Sequence, residues 1–143
     1  MNMDGCRYTE RLHKWHPGSS LYGFRDGFKG VLQGNYFEID EKCVSTHHNQ
    51  GGFVMLGTGR DKLDNISDMK VALDVCTRLD LHGLVIAGGD DSTTNAALLA
   101  EFFEENSSKT RVIGVPKTID GDLKNKHVPI SFGFDTASKV YSE

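Results

Sequence analysis

Cysteine is scarce in this chain, with 3 in 143 residues, at positions 6, 43 and 76, and no two form a CxxC pair. An odd count without pairing spacing argues against a disulfide framework and fits a reducing cytosol, so a cytoplasmic protein is expected. A basic excess is also lacking: 16 Lys and Arg stand against 20 Asp and Glu, for a formal net charge of -4, with no long block of one sign. Nucleic-acid binding needs a basic face to displace counterions, so no nucleic-acid partner is expected. Long hydrophobic runs are missing as well, since none approaches the ~20 residues that span a bilayer. The opening "MNMDGCRYTERLHKWHPGSS" has no apolar centre of the kind a signal peptide carries. No membrane partner is expected. Internal repeats and low-complexity linkers are absent too, and the length is that of one domain.

What the chain does have is alternation. Short apolar runs at 36–39, 53–57, 84–88 and 111–115 read as strands. Between the second and third, Ile66, Met69, Leu73, Cys76 and Leu79 recur at helical spacing, with Asn65 or Ser67 placed to cap the start. Between the third and fourth, Ala96, Leu99, Phe102 and Phe103 do the same, in a helix expected to begin near Ser92 or Thr93. Strand alternating with helix means parallel strands joined by crossovers. The expected fold class is therefore α/β, a doubly wound, mostly parallel sheet with helices on both faces. A helix-like stretch at 21–32 precedes any strand, and the tail "SFGFDTASKVYSE" opens a helical pattern that stops without a capping signal. That ending is read as truncation, and the fold as incomplete.

In such a sheet every loop leaving a strand's carboxyl end lies on one edge, where open α/β sheets bind ligands. Three loops are then expected to share a crevice: "GTGRDK" at 57–62, "GGDDST" at 88–93 and "PKTIDGDLKNK" at 116–126. Asp90 and Asp91 leave one strand, and Asp120 and Asp122 the next. Carboxylates this close repel one another unless a cation sits among them. Mg2+ is the natural cation, because it takes a few carboxylate oxygens and completes its shell with water and phosphate. A single "DGD" is more simply a turn, but two acidic clusters on one sheet edge favour a metal-bound phosphate.

Phosphate has separate support. Gly88 and Gly89 let the backbone come close to a ligand, and a helix starting near Ser92 turns free N–H groups toward the same place. Arg60, Lys117 and Lys124 bring positive charge, Arg60 as a fork and the lysines as mobile points. Phosphoryl transfer at such a site needs positioning, charge neutralisation and a base for the acceptor hydroxyl. An aspartate of "TIDGD" can be that base, and Thr118 can orient it or bond a phosphate oxygen.

At these residues the chain resembles the phosphofructokinases, and within them the diphosphate-dependent branch. The resemblance is carried by "YGFRDGFKGV", "NQGGFVMLGTGRDK", "GLVIAGGDDSTTNAALLAEFF", "VIGVPKTIDGDLKN" and "FGFDTA", five blocks in the family's order at its spacing. It implies phosphoryl transfer from inorganic diphosphate to the 1-hydroxyl of fructose 6-phosphate, with Mg2+ as cofactor and a homo-oligomer at full length. Carried over by position, it implies that Asp90 helps hold Mg2+ and that Asp120 is the base, with Asp122 beside it. Thr118 would contact the sugar or the transferred phosphate, and Gly89, Asp91, Ser92, Arg60, Lys117 and Lys124 would line the donor site. ATP-dependent members typically have glycine at the position of Asp91 and asparagine at that of Gly121. Lys117 matches the diphosphate branch less decisively.

The side chain of Asp91 then places bulk and negative charge where a nucleotide's inner phosphate would pass. An ATP-dependent 6-phosphofructokinase is the nearest alternative, and Asp91 speaks against it. A noncatalytic phosphate-binding or regulatory subunit is the alternative of another class, and the presence of Asp90, Asp120 and Asp122 speaks against that. Residues 1–20 are left as an unassigned leader, with 21–143 as a partial donor-binding domain. The sugar-binding half, and the family's first strand with its glycine-rich phosphate loop, are not found in the sequence. The chain alone is therefore expected to be inactive. His13, His16, His47 and His48 lack partners at metal-ligand spacing and read as solvated loop residues. Trp15, Tyr8 and Leu12 read as a packing stripe or a disordered leader, and Asp135 as a cap or structural acid.

Overall fold

Two short runs near the start of the chain pair with each other. This is seen in a computed structural model, which describes residues 9, 11–12, 14–47, 50, 52–63, 65–117, 125–127, 129 and 134–142. The chain divides into two units, Asn2–Asp61 and Lys62–Glu143.

In the first unit β1 (Tyr22–Phe24) and β2 (Tyr36–Glu38) are antiparallel, with Gly23 opposite Phe37. The strand expected at 36–39 is therefore present, but it belongs to a hairpin and not to a parallel sheet. Helix α1 (Phe28–Gln33) connects the two strands. The helix expected across 21–32 is thus corrected to strand, turn and short helix. The cause is local: Asp26 (φ 58) and Gly27 (φ 67) both have positive φ, and an Asp-Gly pair is a strong turn former. Gly30 is fixed by packing, because the Arg25 backbone occupies the place where its side chain would stand.

Helix α2 (Glu41–Thr46) is capped by Asp40, whose Oδ1 accepts the Cys43 N–H at 2.7 Å. Helix α3 (Gly52–Leu56) stands where a strand at 53–57 was expected from its apolar run. A run this short does not distinguish a strand from a turn of helix. The burial is one-sided, with Met55 inside and Phe53 and Val54 exposed, and the Gly57 N–H bonds back to the Phe53 carbonyl at 3.0 Å. Trp15, also in this unit, is 72% exposed, so it forms no packing stripe.

The second unit follows the sequence pattern closely. Helix α4 (Ile66–Arg78) starts at Asn65, which accepts the Asp68 N–H at 2.7 Å, and buries Ala72, Val75 and Cys76. Burial pushes the Cys76 thiol up to about 11, which makes it a packing group and not a nucleophile. Strand β3 (Gly83–Gly88), helix α5 (Asp90–Glu105) and strand β4 (Arg111–Pro116) then form a βαβ unit, the strands parallel with Leu84 opposite Val112 and Gly88 opposite Pro116. Leu84 and Ile86 of β3 and Ala96, Leu99 and Phe103 of α5 are buried. Burying side chains such as Leu99 and Phe103 contributes about 1.5–3 kcal/mol each. Gly114 of β4 faces α5, where a methyl group would touch Ala96 Cβ at an ordinary 3.4 Å.

Both helices end on a residue in the left-handed conformation, Asp80 (φ 56) after α4 and Ser107 (φ 54) after α5. An ion pair from Lys109 to Asp80 and a 2.7 Å bond from Thr110 Oγ1 to the Leu81 carbonyl tie these turns together ahead of the two strands. The hydrogen bond from Lys109 and its charge hold the Asp80 carboxyl below its ordinary range. Helix α6 (Phe134–Ser142) starts in the "GFDTA" block. Among the described residues no helix is long and apolar enough to cross a membrane.

Candidate functional site

Because β3 and β4 are parallel, their carboxyl ends meet. The Lys117 N–H donates to the Gly88 carbonyl, and a side chain on Gly89 would lie 3.5 Å from the Lys117 carbonyl oxygen. The first residue of the "KTIDGD" segment therefore sits directly beside the glycine turn.

Helix α5 begins at Asp90, ahead of the expected start near Ser92 or Thr93. Gly89 is its N-cap, with no side-chain cap bond, and both aspartates fall in the first turn, where carboxylates are favoured by the helix dipole. The first helical hydrogen bond runs from the Thr93 N–H to the Gly89 carbonyl at 2.9 Å. The N–H groups of Asp90, Asp91 and Ser92 are thus left without intrahelical acceptors. Such a helix end is suited to an anion. Ser92 folds its side chain into the space beside Gly88, which is why residue 88 has room for no side chain of its own.

The two aspartates differ in their surroundings. Asp91 pairs with Lys62, Oδ2 to Nζ at 3.2 Å, with both side chains largely exposed. Asp90 is exposed and has no ion-pair partner among the described residues. A hard divalent cation takes one or two carboxylates and completes its shell with water and phosphate oxygens, so Asp90 is a fitting oxygen ligand for Mg2+.

Below them Asn95 is buried, at 7% exposure, and its side chain has no hydrogen-bond partner among the described residues. It follows Asp91 by one helical turn, on the same stripe of the helix. An unpartnered buried amide costs about 1–3 kcal/mol. A buried polar side chain without a partner calls for an explanation beyond core packing.

Gly89, Asp90, Asp91, Ser92 and Lys117 are therefore brought together. Arg60 lies exposed after α3 in the first unit. Thr118, Asp120, Asp122 and Lys124 lie outside the described residues. Two residues were not promoted from the sequence. Lys62 belongs to the "GTGRDK" loop but stands next to the more conspicuous Arg60 and Asp61, and Asn95 is a polar residue on the face of α5 that otherwise buries Ala96, Leu99 and Phe103. The mismatch at Asn95 was the legible signal.

A family model described as Phosphofructokinase matches residues 8–143. The chain is 54% identical over 138 residues to the beta 2 subunit of pyrophosphate–fructose 6-phosphate 1-phosphotransferase from Arabidopsis thaliana, covering 96% of this chain and 24% of that protein. It is 53% identical over 132 residues to the pyrophosphate–fructose 6-phosphate 1-phosphotransferase of Treponema pallidum, covering 92% and 23%. Among solved structures, the pyrophosphate-dependent phosphofructokinase of Marinobacter aquaeolei is similar with a TM-score of 0.68 at 26% identity, over 85% of this chain and 31% of that one. Pichia pastoris phosphofructokinase, at 20% identity, shares the fold with a TM-score of 0.73 over 93% of this chain and 15% of its own. The chain spans about a quarter of the length of these curated relatives.

Proposed function

The chain belongs to the phosphofructokinase family, and we propose that it supplies the phosphoryl-donor site of an enzyme that phosphorylates the 1-hydroxyl of fructose 6-phosphate from inorganic diphosphate. The observation that carries the reading is the start of α5, where three free N–H groups, the Gly88-Gly89 turn and Lys117 adjoin two carboxylates. The names of the relatives, which specify pyrophosphate and fructose 6-phosphate, support the same donor and acceptor.

On this reading the N–H groups of Asp90, Asp91 and Ser92 hold oxygens of the diphosphate, with Gly89 allowing close approach. Lys117, Arg60 and Lys124 balance its charge. Asp90 would hold Mg2+, which when bound neutralises charge on the donor. Asp120 takes the proton from the sugar 1-hydroxyl as its oxygen attacks the nearer phosphorus, and the bond to the departing phosphate breaks. Asp122 and Thr118 keep Asp120 and the transferred phosphate in place. Asp91 disfavours ATP by standing, with its bulk and charge, where an inner phosphate would lie. Assembly with further copies at full length, a setting in the cytosol and lack of transfer activity in the 143 residues alone belong to the same proposal. The low cysteine count without pairing spacing supports a reducing compartment, and relatives named as subunits support assembly.

Calorimetric titration of the chain with diphosphate tests the metal's part. Affinity is expected to fall roughly tenfold or more when excess chelator replaces Mg2+. Equal affinity in both would remove the metal from the site.

A further inference from the structure

The helix end at Asp90 presents a difficulty of charge. Its dipole and free N–H groups attract an anion, yet two adjacent carboxylates stand in the first turn and repel one. Lys62 is the side chain that resolves this, with its ammonium 3.2 Å from Asp91 Oδ2. The pair is largely exposed, with side-chain accessibilities of 52% and 74%, and an ion pair that open to water adds little to folding stability. A lysine on a flexible stem is also free to move from one acceptor to another. The side chain of Asn95, buried and with no hydrogen-bond partner among the described residues, lies one helical turn after Asp91 on this end of α5.

We infer that Lys62 is a donor-selecting arm, parked on Asp91 at the start of α5 and transferred to a phosphate oxygen when diphosphate binds. The inference rests on the donor site proposed above and adds a residue to it. While the site is empty, Lys62 offsets Asp91 and lets a small, highly charged anion approach. Once Lys62 has moved to the bound diphosphate, the Asp91 carboxylate is uncompensated and repels any further phosphate. Asp91 alone would weaken both donors, whereas Asp91 with Lys62 separates them.

The test is calorimetry with magnesium diphosphate on the full chain, its Lys62→Met and Lys62→Arg variants, and Asp91→Asn with and without Lys62→Met. Each protein is also followed by thermal unfolding. Lys62→Met is expected to weaken binding about ten- to a hundredfold, the range for a charged hydrogen bond, with its unfolding temperature nearly unchanged. Lys62→Arg should keep most of the affinity. The Lys62→Met effect should differ in the Asp91→Asn background, because residues that share a contact are not additive. If the unaltered chain binds diphosphate and Lys62→Met binds it equally, the arm is overturned and the donor site stands. If the unaltered chain binds none, the donor site and the arm fall together. A loss of affinity matched by a lower unfolding temperature, and not restored by arginine, would make Lys62 a structural residue and also overturn the inference.

Discussion

Asparagine in place of Asp120 is expected to cut turnover about 10²- to 10⁴-fold, the usual range for loss of a general base, while leaving diphosphate affinity almost unchanged. The appropriate protein is a full-length relative carrying this segment, assayed with diphosphate, Mg2+ and fructose 6-phosphate. The substitution keeps the volume and hydrogen-bonding reach of the side chain but removes its ability to accept the hydroxyl proton. An effect confined to kcat/KM for the sugar and to kcat, with donor binding intact, identifies an interaction made in the transition state. A fall in donor affinity of the same size would instead place Asp120 among the donor ligands.

Asp91→Gly should do the opposite, changing which donor binds more than whether chemistry follows. A carboxylate about 5 Å from a phosphate charge, at the effective dielectric of a partly exposed site, opposes it by roughly 3 kcal/mol. Removing the carboxylate should therefore raise ATP affinity by about ten- to a hundredfold. Glycine inside the first turn of α5 costs about 1 kcal/mol of helix stability, a loss visible in unfolding and separable from donor choice. The substitution also frees Lys62 from its 3.2 Å contact, so diphosphate affinity should change along with ATP affinity. If ATP remains as firmly excluded in Asp91→Gly as before, Asp91 is an ordinary helix-start residue.

The parts of the fold that could be read from the sequence are those where period and length agree. Ile66 to Leu79 and Ala96 to Phe103 repeat at helical spacing for several turns, and the apolar runs beside them are bounded by glycine or a turn, so α4, β3, α5 and β4 form where they should. The first unit was harder because its elements between residues 22 and 56 are three to six residues long. In elements of that size, turn chemistry outweighs periodicity. Asp26-Gly27 broke the helix expected at 21–32, and the run at 53–57 curled into α3 with only Met55 buried.

At the site, the glycine turn and the paired carboxylates were legible as residue types. Their different ion pairing was not. Asp90 and Asp91 are equivalent as letters, and they diverge because one is exposed without an ion-pair partner among the described residues while the other is bonded to Lys62. Spacing gives no hint of that contact, since Lys62 comes from a loop 29 residues earlier (91 minus 62) and meets Asp91 only through tertiary structure.

The central claim is that the turn before α5 and its first residues bind diphosphate in preference to ATP. It is tested most directly by titrating the chain with each donor in the calorimeter at the same Mg2+ concentration and ionic strength. Saturable heat with diphosphate, and none with ATP over the same concentration range, is the expected result. Binding of ATP as tight as that of diphosphate would contradict the account.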